Sequence, residues 1–197
     1  MDWQTITTYS SHAEEISNLH ESLIPQRLYQ FVLECFSPNG KTLDIGCGSG
    51  RDTAWLAKNG FEVMGIDASV GMLEEARKRH QELTFQQIAL PELAGISDGS
   101  YTNALCSAVL MHLGYDSLPS AAKNILRVLD KGGILLLSFR GTKEPSKREN
   151  GKLYETITKE EAIGLFGREG GELLFYEHTL ETGRNLLWHT FVFKKTA

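Results

Sequence analysis

The stretch Thr42-Leu43-Asp44-Ile45-Gly46-Cys47-Gly48-Ser49-Gly50-Arg51 decides how this chain is read. Leu43 and Ile45 read as the end of a buried strand. Glycines then fall at every second position, where a backbone without Cβ can turn sharply and approach a ligand closely. From Arg51 to Asn59 the pattern becomes helical, with Ala54, Trp55, Leu56 and Ala57, and Gly60 is placed as its stop. Strand, glycine loop and helix N-terminus in this order favour a polar or anionic ligand, because first-turn N–H groups lack intrahelical acceptors.

Spacing narrows the ligand. The dinucleotide fingerprint is Gly-x-Gly-x-x-Gly, but here Arg51 holds the place of its third glycine, and Gly46, Gly48 and Gly50 form Gly-x-Gly-x-Gly instead. Asp67 follows about 20 residues on, at the end of the apolar run Phe61–Ile66, where a carboxylate can take both hydroxyls of a ribose. Asp44, at the first strand's end, is placed to serve an ammonium group. A ligand with a ribose and an amino-acid head, and no pyrophosphate, suits the layout.

On these residues the chain resembles the cofactor half of the class I S-adenosylmethionine-dependent methyltransferases. The segments that carry the resemblance are Asp44–Gly50, Val63–Ser69 and Gly71–Ala76, followed by Leu110-Met-His-Leu113 and Leu126–Ile134, which resemble that family's fourth-strand end and fifth-strand approach. It covers about residues 41–140. It implies an α/β, Rossmann-like doubly wound sheet of seven strands, mostly parallel with a C-terminal antiparallel hairpin and helices on both faces. It also implies S-adenosyl-L-methionine as cofactor, S-adenosyl-L-homocysteine as product, and cofactor contacts from Asp44, Gly46, Cys47, Gly48, Gly50, Arg51, Asp67, Ala68, Met72, Ala89, Leu90 and Ser107.

Composition sets the frame. The chain has 197 residues, 41% hydrophobic and 23% charged, which predicts one methyltransferase domain over 1–197. Its expected parts are an N-terminal helical cap (1–38), the cofactor core (39–140), and a substrate loop, helix and hairpin (141–197). A net charge of −5 shows no broad basic footprint for nucleic acid. Cys35, Cys47 and Cys106 lack metal spacing and read as free thiols of a reducing compartment. No apolar run approaches 18 residues and the N-terminus lacks a basic stretch followed by an apolar core, so the expectation is a cytoplasmic protein, monomer or homodimer, with no membrane partner and no metal.

In chain order, apolar spacing predicts helices over 11–23 and after Pro25, then strand 41–46, helix 51–59, strand 61–66, helix 69–80, strand 83–88 and a strand from Tyr101. A helix over 117–130 is predicted to stop at Gly132-Gly133, before a fifth strand over 134–139. The polar stretch 140–157 reads as a long loop over the strand tips. Thr158-Lys-Glu-Glu161 is a capping-box pattern, and two final strands end the chain.

Methyl transfer needs alignment, with proton removal where the acceptor loses one. His112, at the fourth strand's tip, is the candidate base, the alternative being a histidine satisfied by a backbone carbonyl. Tyr9, Arg27, His112, Arg140, Arg148 and Tyr154 are candidates for the substrate side. The arginines, with Arg184, suggest a clamp for an anionic small molecule or else solvated charges on a loop, and Arg51 is expected to pair with Asp44, with the ligand's carboxylate, or in a surface ion pair of little value. Two alternatives stand beside small-molecule methylation: a methyltransferase acting on tRNA or protein, and a non-catalytic S-adenosylmethionine-binding module. The glycine spacing argues against an NAD-dependent dehydrogenase.

Overall fold

The computed structural model describes residues 2–141, 146–181 and 186–196. The elements in order are helices α1 (Trp3–Ser11), α2 (Ala13–Ser22) and α3 (Gln26–Cys35), then β1 (Lys41–Ile45), α4 (Arg51–Lys58), β2 (Glu62–Asp67), α5 (Val70–Arg79), β3 (Thr84–Gln87) and β4 (Tyr101–Ser107). Next come α6 (Leu118–Val128), β5 (Leu129–Gly141), a small hairpin β6 (Lys147–Glu149) and β7 (Lys152–Tyr154), α7 (Lys159–Arg168), β8 (Gly171–Glu181) and β9 (Leu186–Lys195). Seven strands form one sheet in the order β3-β2-β1-β4-β5-β9-β8. β1 to β5 run parallel, while β9 is antiparallel to both β5 and β8, as the resemblance implies.

The chain winds outward from β1 to β3, then returns to place β4 on the other side of β1, so the sheet has a switch point between β1 and β4. Ligands of such sheets bind beyond the carboxyl ends of the strands at this point. Both faces are covered. On one, Leu135, Leu137, Phe139, Phe191 and Phe193 pack with Ile125 of α6 and Phe166 of α7. On the other, Leu105, Leu136 and Val192 pack under Leu28, Phe31 and Val32 of α3. The alternation of neighbours along β5 between the two clusters is the period-two pleat of a strand buried on both sides.

Local signals set the helix starts. Met72 N–H donates to Ser69 Oγ at 3.2 Å, and the Thr158 capping box closes with Glu161 N–H on Thr158 Oγ1 at 3.1 Å and Thr158 N–H on Glu161 Oε2 at 2.8 Å. Three expectations need correction. The N-terminal region holds α1 in addition to the two expected helices; its one buried residue is Thr5, so no apolar stripe announces it. The sixth helix ends at Val128, before Gly132-Gly133, because Gly99 and Ser100 N–H groups bind the Arg127 and Val128 carbonyls and draw the chain into β5. The stretch 140–157 carries the β6–β7 hairpin, and Lys143, Thr182, Arg184 and the turn around them lie outside the described residues.

Residues 2–22 close over the strand tips. α1 rests backbone to backbone on the first turn of α5, where a Cβ at Gly71 would come within 2.9 Å of Ser10 Cα. Gly71→Ala should therefore force α1 away at a cost of about 1–3 kcal/mol. Amide exchange read residue by residue should show faster opening in α1 with β1 and β5 unchanged; equal protection of α1 would refute the packing.

Candidate active site

A cavity of about 680 Å³ runs along the carboxyl ends of the strands, from β2 at one end to β8 at the other. The glycine loop builds its first wall. Gly46 and Cys47 N–H groups both donate to the Ile66 carbonyl, at 2.8 and 2.9 Å, which folds the loop across the ends of β1 and β2. Gly46 holds φ +73°, and a Cβ there would strike the Val109 side chain. Asp67, at the tip of β2, accepts Gly48 N–H at 2.9 Å on one oxygen and Ser69 N–H at 2.8 Å on the other. A carboxylate has about four acceptor sites, so capacity for two ligand hydroxyls remains on the cavity side. Burial raises the Asp67 pKa, and the backbone N–H bonds oppose that rise.

Ala68, Met72, Ile88, Ala89, Leu90 and Ser107 continue this wall, so most of the expected cofactor residues border one end of the cavity. Asp44 and Gly50 stand behind it. Asp44 is buried under the loop, where Thr53 Oγ1 donates to it at 2.6 Å; burial and the nearby Asp52 raise its pKa. Gly50 is the N-cap of α4 at φ +85°, and a Cβ there would meet Phe85 at 2.8 Å, so its role is close packing against β3. Gly50 offers no side chain, which leaves the first turn of α4 without a side-chain cap. Those donors and the Asp67 carboxylate fit the ribose and amino-acid ends of the implied cofactor.

Arg51 does not pair with Asp44, as the sequence suggested. It forms a two-bond pair with Asp52, at 2.8 and 2.9 Å, and its Nη1 donates to the His20 and Leu23 carbonyls at 3.0 and 2.8 Å. The guanidinium thus ties the glycine-loop helix to the end of α2. Tyr29 Oη, donating to Asp52 at 2.7 Å, completes the cluster. Sequence spacing carries no signal for it, since its members come from three separate elements.

His112 follows β4 in a short 3-10 turn and is buried. Its Nδ1 lies 2.6 Å from the Leu153 carbonyl, which can only accept, so the proton sits on Nδ1. Nε2 then accepts from Tyr9 Oη at 3.1 Å. Burial lowers the His112 pKa to about 4 and raises that of Tyr9. Tyr9, His112 and Tyr154 form an aromatic group, with both tyrosine rings edge-on to the imidazole. His112 borders the cavity, and its second ring nitrogen is covered by the Tyr9 hydroxyl.

The three expected substrate arginines do not converge. Arg140 lines the cavity yet makes two bonds to Glu149, at 2.8 and 3.3 Å, and stacks 4.8 Å from the Tyr154 ring centre. Arg27 makes two bonds to Glu177, at 3.0 and 2.8 Å. Arg148 stands outside the cavity lining, binds Asp2 through two 2.9 Å bonds, and so fastens the β6–β7 hairpin to the N-terminal cap. Sequence reading missed Lys152 and Trp188 as lining residues; the hairpin that brings in Lys152 had no visible strand pattern.

The histidine makes a pH prediction. Its folded pKa, about 4, lies below its ordinary 6.5, so the unfolded chain takes up the proton first as pH falls. The stability this gives is complete above pH 6.5 and is lost between 6.5 and 4, by up to about 3 kcal/mol. In urea unfolding at pH 7 and pH 5, His112→Asn should lose less stability between the two than the parent chain; equal losses would contradict the buried neutral imidazole.

Residues 43–137 match the family model of the methyltransferase domain. An uncharacterized methyltransferase of Synechocystis sp. is 34% identical over 114 residues, which are 57% of this chain and 53% of that protein. A ubiquinone biosynthesis O-methyltransferase of Alkalilimnicola ehrlichii is 31% identical over 130 residues, 63% of this chain and 51% of its own. The chain thus spans about half the length of these curated relatives. Among solved structures, a 1,6-didemethyltoxoflavin-N1-methyltransferase of Burkholderia thailandensis, with its acceptor and S-adenosylhomocysteine bound, superimposes with a TM-score of 0.80 at 19% identity, covering 98% of this chain and 88% of its own. At that identity the likeness shows the fold. The glycine loop, Asp67 and the fourth- and fifth-strand segments all fall within the matched residues, and over these residues the chain carries the methyltransferase domain.

Proposed function

We propose that this chain transfers the methyl group of S-adenosylmethionine to a small-molecule acceptor, acting as one domain of the three parts read from the sequence. The observation that carries the reading is Asp67, a half-buried carboxylate at the β2 tip, fixed by two backbone donors and facing a cavity walled by the glycine loop. Relatives named for ubiquinone-biosynthesis O-methylation and malonyl-[acyl-carrier protein] O-methylation, and a neighbour named for toxoflavin N1-methylation, support a small acceptor. The free thiols Cys35, Cys47 and Cys106 suit a reducing, cytoplasmic setting, and no helix among the described residues is long and apolar enough to cross a membrane.

When bound, the cofactor supplies an electrophilic methyl group on sulfur. The chain's residues do the rest. Asp67 accepts the ribose hydroxyls, Ala89 and Leu90 flank the base, and the glycine loop with the uncapped turn of α4 meets the amino-acid end. The cap formed by α1 and α2, held by Arg51 and by the Arg148–Asp2 pair, excludes water from the reacting centre. An O–H or N–H acceptor becomes acidic as its new bond to carbon forms. Tyr9 Oη takes that proton while passing its own to His112 Nε2, and the Nδ1 proton stays on the ring, donated to the Leu153 carbonyl.

Calorimetric titration with S-adenosylmethionine, S-adenosylhomocysteine and NAD tests the cofactor half. The first two should bind and NAD should not; failure of both sulfur ligands would refute the reading. Asp67→Ala should weaken S-adenosylhomocysteine binding by about 1.5–3 kcal/mol, the value of hydrogen bonds to a charged group. Unaltered affinity in that variant would count against its placement.

A further inference from the structure

The far end of the cavity, away from Asp67, shows what kind of acceptor it is built for. Strand register sets side chains here in rows. Leu105, Leu136 and Val192 are register neighbours on β4, β5 and β9, and all three are sealed under α3. Two residues further toward the strand tips, the same face presents Ser107, Ser138 and Thr190, again direct neighbours. All three border the cavity, and the Ser107 and Ser138 hydroxyls lie 3.0 Å apart. The following row on this face is Arg140 beside Trp188. The sheet therefore changes from apolar to hydroxyl-bearing where it leaves the cover of α3, and a line of hydroxyls forms the cavity floor from β4 to β9.

The walls over this floor are apolar. Leu23, Ile24 and Leu28 come from the α2–α3 link and α3, and Leu180 and Trp188 from the β8–β9 hairpin. Ile24 is 68% exposed and Leu180 56% exposed, so the mouth leaves large apolar side chains to water when empty. Among the described residues, the guanidinium groups at this end, Arg27 and Arg140, are each held by a carboxylate through two bonds, and the Lys152 ammonium of the cavity lining lies 4.8 Å from the Tyr9 ring centre. An anionic acceptor would have to displace Glu177 or Glu149 to gain either. Neutral hydroxyls, which both donate and accept, match a head group that needs hydrogen bonds but carries no charge.

We propose that the acceptor is an uncharged, planar aromatic or heteroaromatic molecule, lying along Trp188 between the two apolar walls with a hydroxyl or ring nitrogen on the Ser138 and Thr190 hydroxyls. This rests on the methyltransferase reading and replaces the anionic acceptor that the count of arginines in the sequence suggested. The hydroxyl line starts at Ser107, itself one of the expected cofactor contacts, so the acceptor's polar edge faces the methyl donor.

The test uses the full chain and two probes with the same ring system, neutral 2-naphthol and anionic 2-naphthoate. S-adenosylhomocysteine is titrated first; if it does not bind, the methyltransferase reading falls and this inference falls with it. On the S-adenosylhomocysteine-saturated protein, 2-naphthol should give saturable heat of binding and 2-naphthoate should bind at least tenfold more weakly. The near-isosteric double variant Ser138→Ala, Thr190→Val should lower 2-naphthol affinity about tenfold, with S-adenosylhomocysteine affinity unchanged. Any of three results would overturn the inference while leaving the methyltransferase reading in place: no 2-naphthol binding, 2-naphthoate binding as tight or tighter, or a double variant that binds 2-naphthol as the parent does.

Discussion

The site depends on one carbonyl. Ile66 O, at the end of β2, takes the N–H groups of both Gly46 and Cys47, so the chain leaving β1 must bend over its neighbour before it can start α4. That bend requires the positive φ of Gly46, and it brings Gly48 N–H onto Asp67. The carboxylate, the loop and the helix N-terminus are therefore one hydrogen-bonded unit, set by the register of two parallel strands. The other cofactor-end residues, Met72 on α5 and Ala89 and Leu90 after β3, hang from elements that follow directly from β2.

The cap is joined to this unit by polar contacts and by a small apolar cluster of Tyr9, Ala13, Ile16 and Met72. Arg51 reaches the His20 and Leu23 carbonyls, Ser10 Oγ lies 2.8 Å from Ser69 Oγ, and Leu153 N–H donates to Thr5 Oγ1 at 2.8 Å. Polar contacts of this kind are individually worth about 0.5–1.5 kcal/mol, whereas the sheet itself is held by a large apolar core. Such an arrangement fits a site that must admit a cofactor and then close over it.

Burial decides the electrostatics. Asp44 and His112 have ordinary side chains in an unfriendly medium: the carboxyl is pushed up and the imidazole down, each toward its neutral form. The arginines gain partners instead, and the Glu149 pKa falls to about 2 beside Arg140. The result is a cavity whose lining arginines, Arg27, Arg51 and Arg140, are each paired with a protein carboxylate.

The sequence by itself determined the strands, the glycine loop and the helix starts, because these are written in short-range patterns, while the order of the seven strands was implied by the family resemblance. Apolar runs broken by Gly46, Gly48 and Gly50, an acid at the next strand end, and the capping residues Ser69 and Thr158 each act within a few positions of themselves. Only the tertiary structure decided which groups face the acceptor. Tyr9 meets His112 across 103 positions, Arg27 meets Glu177 across 150 and Arg148 meets Asp2 across 146. An arginine in a sequence carries its charge but not its partner. The line Ser107–Ser138–Thr190 likewise exists only through the register of three strands, one of them antiparallel, and no local pattern along any single strand specifies that register.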